Sequence, residues 1–272
     1  MKELSLKELQ EFSLNILLDV HNFCEKNAIT YSLMYGTLIG AIRHKGFIPW
    51  DDDIDIVMPR PDFDRFMSTY QSEQFELISP TNPNSYILFA RVCDLKKTIV
   101  KGSYPWCKVE TGAWIDIFPL DGVEKSITAF NQRINELRRS WYKQLKLRST
   151  LIPLSEVHGL EKIKLLLKKL LFKKDVRKHN LKHLTKMQVV KFGETPFWTQ
   201  LSCLDDNNNT FFNIEDFRTT QLTDFEGFHF RILNGYDRVL RKCFGNYKQL
   251  PPENDRTPKQ THMHVYWKEN IL

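Results

Sequence analysis

No run of this 272-residue chain approaches the roughly 20 consecutive apolar positions that a membrane-spanning helix requires. The opening Met1-Lys2-Glu3-Leu4-Ser5 carries an acid early and no long apolar stretch follows it, so a secretory leader is not expected. Cysteine is sparse: Cys24, Cys93, Cys107, Cys203 and Cys243 are scattered, odd in number and without a Cys-x-x-Cys pair. That pattern fits reduced thiols in the cytosol and does not support a structural zinc site. Internal repeats and low-complexity segments are lacking too. The ordinary apolar share of 42% describes a globular chain with a sizeable core, built as one elaborated domain or as a domain with an appendage.

Charge is plentiful but unevenly distributed. The net charge is +6, and between Glu161 and Lys191 eleven lysines and arginines face only Glu161 and Asp175. Residues 159–172 alternate leucine with lysine at a spacing that suits a basic amphipathic helix. Two readings stay open: peripheral contact with an anionic membrane surface, or a core-facing helix with a solvated lysine face. Nucleic acid is not an expected partner, because the run lacks interleaved aromatics and any recognised nucleic-acid motif.

Acid is concentrated elsewhere. Asp51, Asp52, Asp53 and Asp55 place four carboxylates within five positions, directly after a loop bearing Arg43, His44 and Lys45. Like charges this dense repel. A hard divalent cation removes the conflict, since magnesium takes one or two carboxylates together with phosphate oxygens of a substrate. On a strand, Asp53 and Asp55 point to one face while Ile54 and Ile56 point into a core.

Local patterning predicts the elements around this cluster. Ser5-Leu6-Lys7-Glu8 is a capping box for a helix to about Lys26. Residues 29–35 read as a strand, residues 37–43 as a short helix whose free N–H groups make an anion site beside Gly36 and Thr37. Residues 54–58 form a strand stopped by Pro59, and a helix opened by Pro61 follows. Residues 75–79, 86–93 and 114–118 are further strands, the last closed by Pro119. Helical patterning dominates from Ser126 to about Lys191, broken near Pro153; the chain then turns loop-rich, with a helix at 236–244 stopped by Gly245. The expected class is α+β: a mixed-sheet core over 1–122, then a helical, basic extension over 123–272 that packs back on it.

Asp116 sits between Ile115 and Ile117, where an unpaired ion would be costly, and is the best third carboxylate for the metal. Gly36-Thr37, then Asp53-Ile54-Asp55, then Asp116 resemble the layout of the nucleotidyltransferase superfamily. The longer run from Gly36 through Arg43-His44-Lys45-Gly46-Phe47-Ile48-Pro49-Trp50 to Asp55 resembles the signature of the LicD family of phosphotransferases, related to fukutin and fukutin-related protein. Trp114-Ile115-Asp116-Ile117-Phe118-Pro119-Leu120-Asp121 is similar to the family's second block. Gly235-Tyr236-Asp237-Arg238-Val239-Leu240, Phe244-Gly245-Asn246-Tyr247 and Leu250-Pro251-Pro252-Glu253 resemble a weaker third, with Phe244 where a tyrosine is commoner. Nothing diagnostic lies between about Glu124 and Asp224.

The resemblance implies transfer of a substituted phosphate, typically phosphocholine, otherwise ribitol or glycerol phosphate. The donor would be a CDP-linked alcohol and the acceptor a sugar hydroxyl of a lipid-linked cell-surface glycan or teichoic acid precursor, with release of CMP. It implies that Asp53, Asp55 and Asp116 are catalytic and hold Mg²⁺ (or Mn²⁺), with Asp116 completing the metal shell or accepting the acceptor's proton. Gly36 and Thr37 would admit the donor phosphates, Arg43 and Lys45 would pair with the pyrophosphate, and His44 and Asp52 would complete the donor set, Asp52 being preferred to Asp51. The implied location is cytoplasmic, at the inner face of the membrane. Two rivals remain: a glycosyltransferase, whose Asp-x-Asp also binds metal and a nucleotide-sugar, and a non-catalytic membrane-surface adaptor on the same core.

Other candidates are weaker. His179 and His183 have the i, i+4 spacing of a metal pair but no convincing third ligand. His262 and His264 alternate near a family block that often keeps a histidine. Arg91 suits either a phosphate or an ion pair, and Trp50, Trp106 and Trp114 suit either an aromatic wall for a choline ammonium or the core.

Overall fold

Ser5 sets the first element. In the computed structural model, which describes all residues except 83, 84, 86, 102–109, 149, 151, 153, 156, 172–175, 205–209, 259–263 and 270–272, its hydroxyl accepts from the Glu8 N–H at 3.3 Å. The Ser5 N–H donates back to the Glu8 carboxylate at 2.8 Å. Lys2, then Ser5, hold the Glu8 carboxyl down at about 2. Helix α1 (Leu6–Lys26) follows and lays Ile16, Leu17, Val20 and Cys24, all fully buried, on the sheet.

The main sheet is mixed. Strands β1 (Ser32–Leu33), β2 (Asp55–Pro59), β3 (Glu76–Ile78), β4 (Ala90–Asp94) and β6 (Ala113–Gly122) lie in the order β1-β2-β6-β4-β3. Of these pairings only β2 with β6 is parallel. Two further strands, β7 (Phe197–Gln200) and β8 (Phe212–Asn213), extend the sheet from the far end of β6. Helix α2 (Tyr35–Arg43) connects β1 towards β2, and α3 (Arg60–Thr69) follows β2 directly. Helices and a curled mixed sheet make the class α+β. Gly122 is the last residue of β6, and β7 and β8 from beyond it join the same sheet.

Two local expectations are corrected. The strand at 29–35 is only Ser32–Leu33, because Met34 is already the extended cap of α2 and Tyr35 turns the chain with φ of 50°. Pro119 does not end its strand; β6 runs on to Gly122. The Asp116 N–H bonds to the Ile54 carbonyl, so by the two-residue period the nitrogen of Pro119 faces the other edge. There β4 ends opposite Ile117 and β7 begins opposite Leu120. A proline in that gap removes no ladder bond.

The region beyond Phe192 also holds more strand than its loop-rich sequence implies. Strands β9 (Thr220–Phe225) and β10 (Phe228–Leu233) form a hairpin whose two turn residues, Glu226 and Gly227, both have positive φ, the signature of the tight turn that matches strand twist. The usual Asn-Gly or Asp-Gly marker is missing. Glu226 is instead held by tertiary bonds: its N–H donates to the Lys45 carbonyl and its carboxylate accepts from the Phe47 N–H, both at 2.9 Å. Helix α7 (Tyr236–Phe244) ends at Gly245, φ 62°. Near the C-terminus β11 (His264–Trp267) pairs with β5 (Thr98–Lys101).

Helices α4 (Ile127–Arg148), α5 (Gly159–Leu171) and α6 (Val176–Met187) fill the middle of the chain. Phe130, Ile134, Leu137 and Trp141 of α4 share a separate apolar cluster with Leu88, Met187 and Leu201. His179 and His183 both turn to Ser140 of α4, at 3.3 Å to its carbonyl and 2.8 Å to its hydroxyl. The pair thus fastens α6 to α4.

Candidate active site

The register of the sheet assembles the charged centre. Asp55 lies directly beside Asp116 across the parallel pair, and Asp116 directly beside Arg91 across the antiparallel one. Side chains opposite one another in a sheet share a face, so the three form a row. Arg91 donates Nε to Asp116 Oδ1 at 2.6 Å and Nη2 to Oδ2 at 3.3 Å, and its guanidinium lies 4.7 Å from the Trp114 ring centroid. The arginine thus takes the ion-pair role, and Trp114 is its stacking partner in the core. Trp106 and His262 lie outside the described residues.

Thr37 fixes the start of β2: its buried hydroxyl accepts the Asp55 N–H at 2.9 Å. Gly36, one residue earlier, is where the acid turn closes on α2. A Cβ there would sit 2.6 Å from Asp51 Oδ2. From the other side, the Gln10 amide of α1 donates to the Asp51 carbonyl at 2.8 Å. Tyr35, Gly36, Asp51, Asp53 and Asp55 then line one wall of a cleft of about 710 Å³, with Ile39, Arg43, Ile48 and Trp50 alongside. Phe244 at the end of α7 and the segment after it supply the opposite wall, with Asn246, Tyr247, Gln249 to Pro252, and Asp255.

Electrostatically the cleft is over-supplied with acid. Burial raises the Asp55 carboxyl well above the usual carboxylate range; the charges of Asp53, Asp116 and Asp51 add to this, and Arg91 pulls the other way. Carboxylate oxygens from Asp51, Asp52 and Asp53 come within 4.8 Å of one another. Converging hard oxygen donors of like charge suit Mg²⁺ or Mn²⁺, so the residues present fit a divalent cation.

The structure brings Gly36, Arg43, Asp53 and Asp55 to the cleft wall and adds Asp51. Asp52 belongs to the converging trio but does not line the cleft, and Asp116 stands one strand behind Asp55. Arg43 donates to the carbonyls of Tyr247 (2.8 Å) and Gln249 (3.2 Å), which ties α2 to the opposite wall, and its Nε donates to His44 Nε2 at 2.9 Å. Burial and then the Arg43 charge lower the His44 pKa, keeping the ring neutral and able to accept that bond. Lys45 is exposed, has φ of 61° and does not line the cleft. His264 bonds to Glu3 at 2.6 Å, away from the cleft lining.

Sequence reasoning missed several of these residues. Asp51 was legible within the acidic run, although sequence reasoning prefers Asp52 to it; it is Asp51 that lines the cleft. Arg256 was not: it lies 5.8 Å from the Trp50 ring centroid, and its charge adds to burial in depressing the Arg43 pKa. Arg43 therefore lines the cleft, and a second cation, Arg256, stands near it beside Trp50. Tyr35, an aromatic residue held at positive φ beside Gly36, carries backbone strain at the site, which no local signal announces.

Comparison with known proteins agrees with this geometry. The family model described as LicD/FKTN/FKRP, nucleotidyltransferase domain, matches residues 28–170. A Haemophilus influenzae protein named lipopolysaccharide cholinephosphotransferase LicD is 33% identical over 272 residues, covering 95% of this chain and 97% of that one. Shorter matches reach two uncharacterised proteins. One, from Rickettsia typhi, is 44% identical over 57 residues (21% of this chain, 18% of that one). The other, from Rickettsia prowazekii, is 47% identical over 55 residues (20% and 18%).

Proposed function

This chain belongs to the LicD/FKTN/FKRP family, and from that premise we propose that it transfers a substituted phosphate, phosphocholine first among the choices, from a CDP-linked alcohol to a sugar hydroxyl of a cell-surface glycan, releasing CMP. The observation that carries the reading is the end-to-end similarity to a lipopolysaccharide cholinephosphotransferase, matched by a cleft lined by Asp51, Asp53, Asp55 and Arg43. Ribitol or glycerol phosphate would fit the same charges.

Phosphoryl transfer asks a protein for positioning and charge neutralisation more than for covalent chemistry. Asp53 and Asp55, with Asp51 or Asp52, would hold Mg²⁺ or Mn²⁺. When bound, that ion would neutralise the phosphate oxygens and favour departure of CMP. Gly36 leaves room for the Asp51 carboxylate to pack against α2. Arg43 and Arg256 would meet the pyrophosphate, Arg43 by its remaining N–H groups. Thr37 holds Asp55 in place through the backbone. Asp116, engaged by Arg91, sets the charge behind Asp55 and is the residue nearest in sequence logic to a proton acceptor for the incoming hydroxyl.

We further propose that donor and acceptor meet in the cytoplasm at the inner face of the membrane, the acceptor being lipid-borne. The test is incubation with CDP-choline, CDP-ribitol or CDP-glycerol and a glycan acceptor preparation, with and without Mg²⁺. Metal-dependent CMP release from one of them is expected. Release of a nucleoside diphosphate from a sugar nucleotide instead would make the chain a glycosyltransferase, and no turnover of either donor would leave it an adaptor.

A further inference from the structure

Helix α5 presents its apolar side outward. At 100° per residue, Leu160, Ile163, Leu166, Leu167, Leu170 and Leu171 share an arc about 140° wide. All six are exposed, from 46% at Leu166 to 77% at Leu171. The side turned to the protein holds Leu165, the helix's one buried residue, and Lys169, whose ammonium donates to the Thr150 carbonyl at 2.7 Å. A surface helix ordinarily buries its apolar arc and solvates its lysines; α5 exposes its apolar arc along with Lys162, Lys164 and Lys168. The reading of this segment as a core-facing helix is therefore overturned.

The cations bear on what covers the arc. Lys164 borders one edge, with Lys168 beyond it, and Lys162 borders the other. The helix's single acid, Glu161, is already paired with Lys164 at 2.5 Å. A second copy docked on this face would bring lysine rims together, whereas an anionic surface complements them. Leucines below and lysines at the rim, stems lying along the apolar surface, are what a helix in a bilayer interface requires. No helix among the described residues is long and apolar enough to cross a membrane, so the contact is peripheral.

We propose that α5 lies in the plane of an anionic bilayer, its six aliphatic side chains entering the boundary between headgroups and acyl chains and Lys162, Lys164 and Lys168 meeting lipid phosphates. This names the element that brings the cleft to a lipid-borne acceptor. It builds on that part of the proposed function, but its readout is lipid binding and not turnover, so either can fail alone.

The experiment is co-sedimentation of the full chain with vesicles of phosphatidylcholine, or of phosphatidylcholine and phosphatidylglycerol in equal parts, across a salt series. Two triple variants accompany it: Ile163→Gln/Leu167→Gln/Leu170→Gln, and Lys162→Gln/Lys164→Gln/Lys168→Gln. Wild type should bind the anionic vesicles. The lysine variant should bind about 100-fold more weakly at low salt, with the gap closing as salt rises, and the aliphatic variant should not bind. All replaced side chains are exposed, so both variants should keep the wild-type melting temperature. No binding by wild type, or equal binding by wild type and the aliphatic variant, overturns the proposal. So does a wild-type dimer that the aliphatic variant dissociates without any vesicle binding, which would assign the face to a second copy.

Discussion

Asp55 and Asp116 stand side by side across the parallel strands β2 and β6, and Arg91, next in the row, donates two hydrogen bonds to Asp116. One acid of the row is thus neutralised and the other, with Asp51 and Asp53 nearby, keeps an excess of negative charge at the cleft. The row needs both its arginine and its second acid, for different reasons.

Removing the arginine should be costly to the fold. Arg91→Ala leaves Asp116 buried beside Asp55 without its partner, and losing one member of a buried ion pair costs about 3–5 kcal/mol. Urea unfolding of the purified variant measures this directly. A loss under about 1 kcal/mol would mean that water or a rearranged neighbour takes over the arginine's role.

Removing the acids should be costly to turnover only. Asp53→Asn and Asp55→Asn each withdraw a carboxylate from a crowded site, so melting temperature should hold or rise while CMP release falls by at least ~10³-fold. Wild-type turnover in either folded variant would remove that residue from the metal site.

The same excess charge predicts a pH dependence. The folded-state pKa of Asp55 is raised above its ordinary value of 3.8, first by burial and then by its acidic neighbours. Its contribution to stability is therefore fully present below that ordinary value and is lost as pH rises through the raised folded value. Between acid and neutral pH, wild type should lose stability relative to Asp55→Asn in denaturant titrations, and saturating Mg²⁺ should narrow the difference. Parallel curves for the two proteins would contradict the assigned shift.

Arg43 and Lys45 should separate. Arg43 lines the cleft and bridges to the Tyr247 and Gln249 carbonyls, so Arg43→Ala should lower donor kcat/KM by roughly 10- to 150-fold, the worth of a charge-assisted contact. Arg43→Lys should rescue little, since lysine lacks the fork. Lys45→Ala, at an exposed position off the cleft lining, should change donor kinetics less than Arg43→Ala; an equal or larger effect would show that the loop folds over the donor.

Two glycines of one helix should fail differently. A Cβ on Gly36 meets the end of the Asp51 side chain, which can move. Gly36→Ala should therefore displace Asp51 and weaken Mg²⁺ dependence at nearly unchanged stability. A Cβ on Gly40 meets the Gly46 backbone carbonyl, which cannot yield cheaply, so Gly40→Ala should cost about 1–3 kcal/mol. Calorimetry and metal titration of both variants distinguish the two outcomes.

The sequence by itself determined what short-range chemistry can encode. The capping box at Ser5, the alternation of cleft-lining Asp53 and Asp55 with buried Ile54 and Ile56, and the stop at Gly245 all depend on neighbours within a few residues. The family blocks were legible for the same reason. Tertiary structure decided whatever depends on which strands lie side by side: that Asp116 faces Arg91 as well as Asp55, that Pro119 falls in a gap between two partner strands, and that Glu226 turns a hairpin because Lys45 and Phe47 hold it. Arg256 reached Trp50 and the Arg43 field only through the return of the chain after α7. The orientation of α5 belongs with these. Periodicity fixes which residues share an arc of a helix, but not whether that arc faces the core; that is set by what the rest of the chain packs against it, here on the side of Leu165 and of Lys169, which donates to the Thr150 carbonyl.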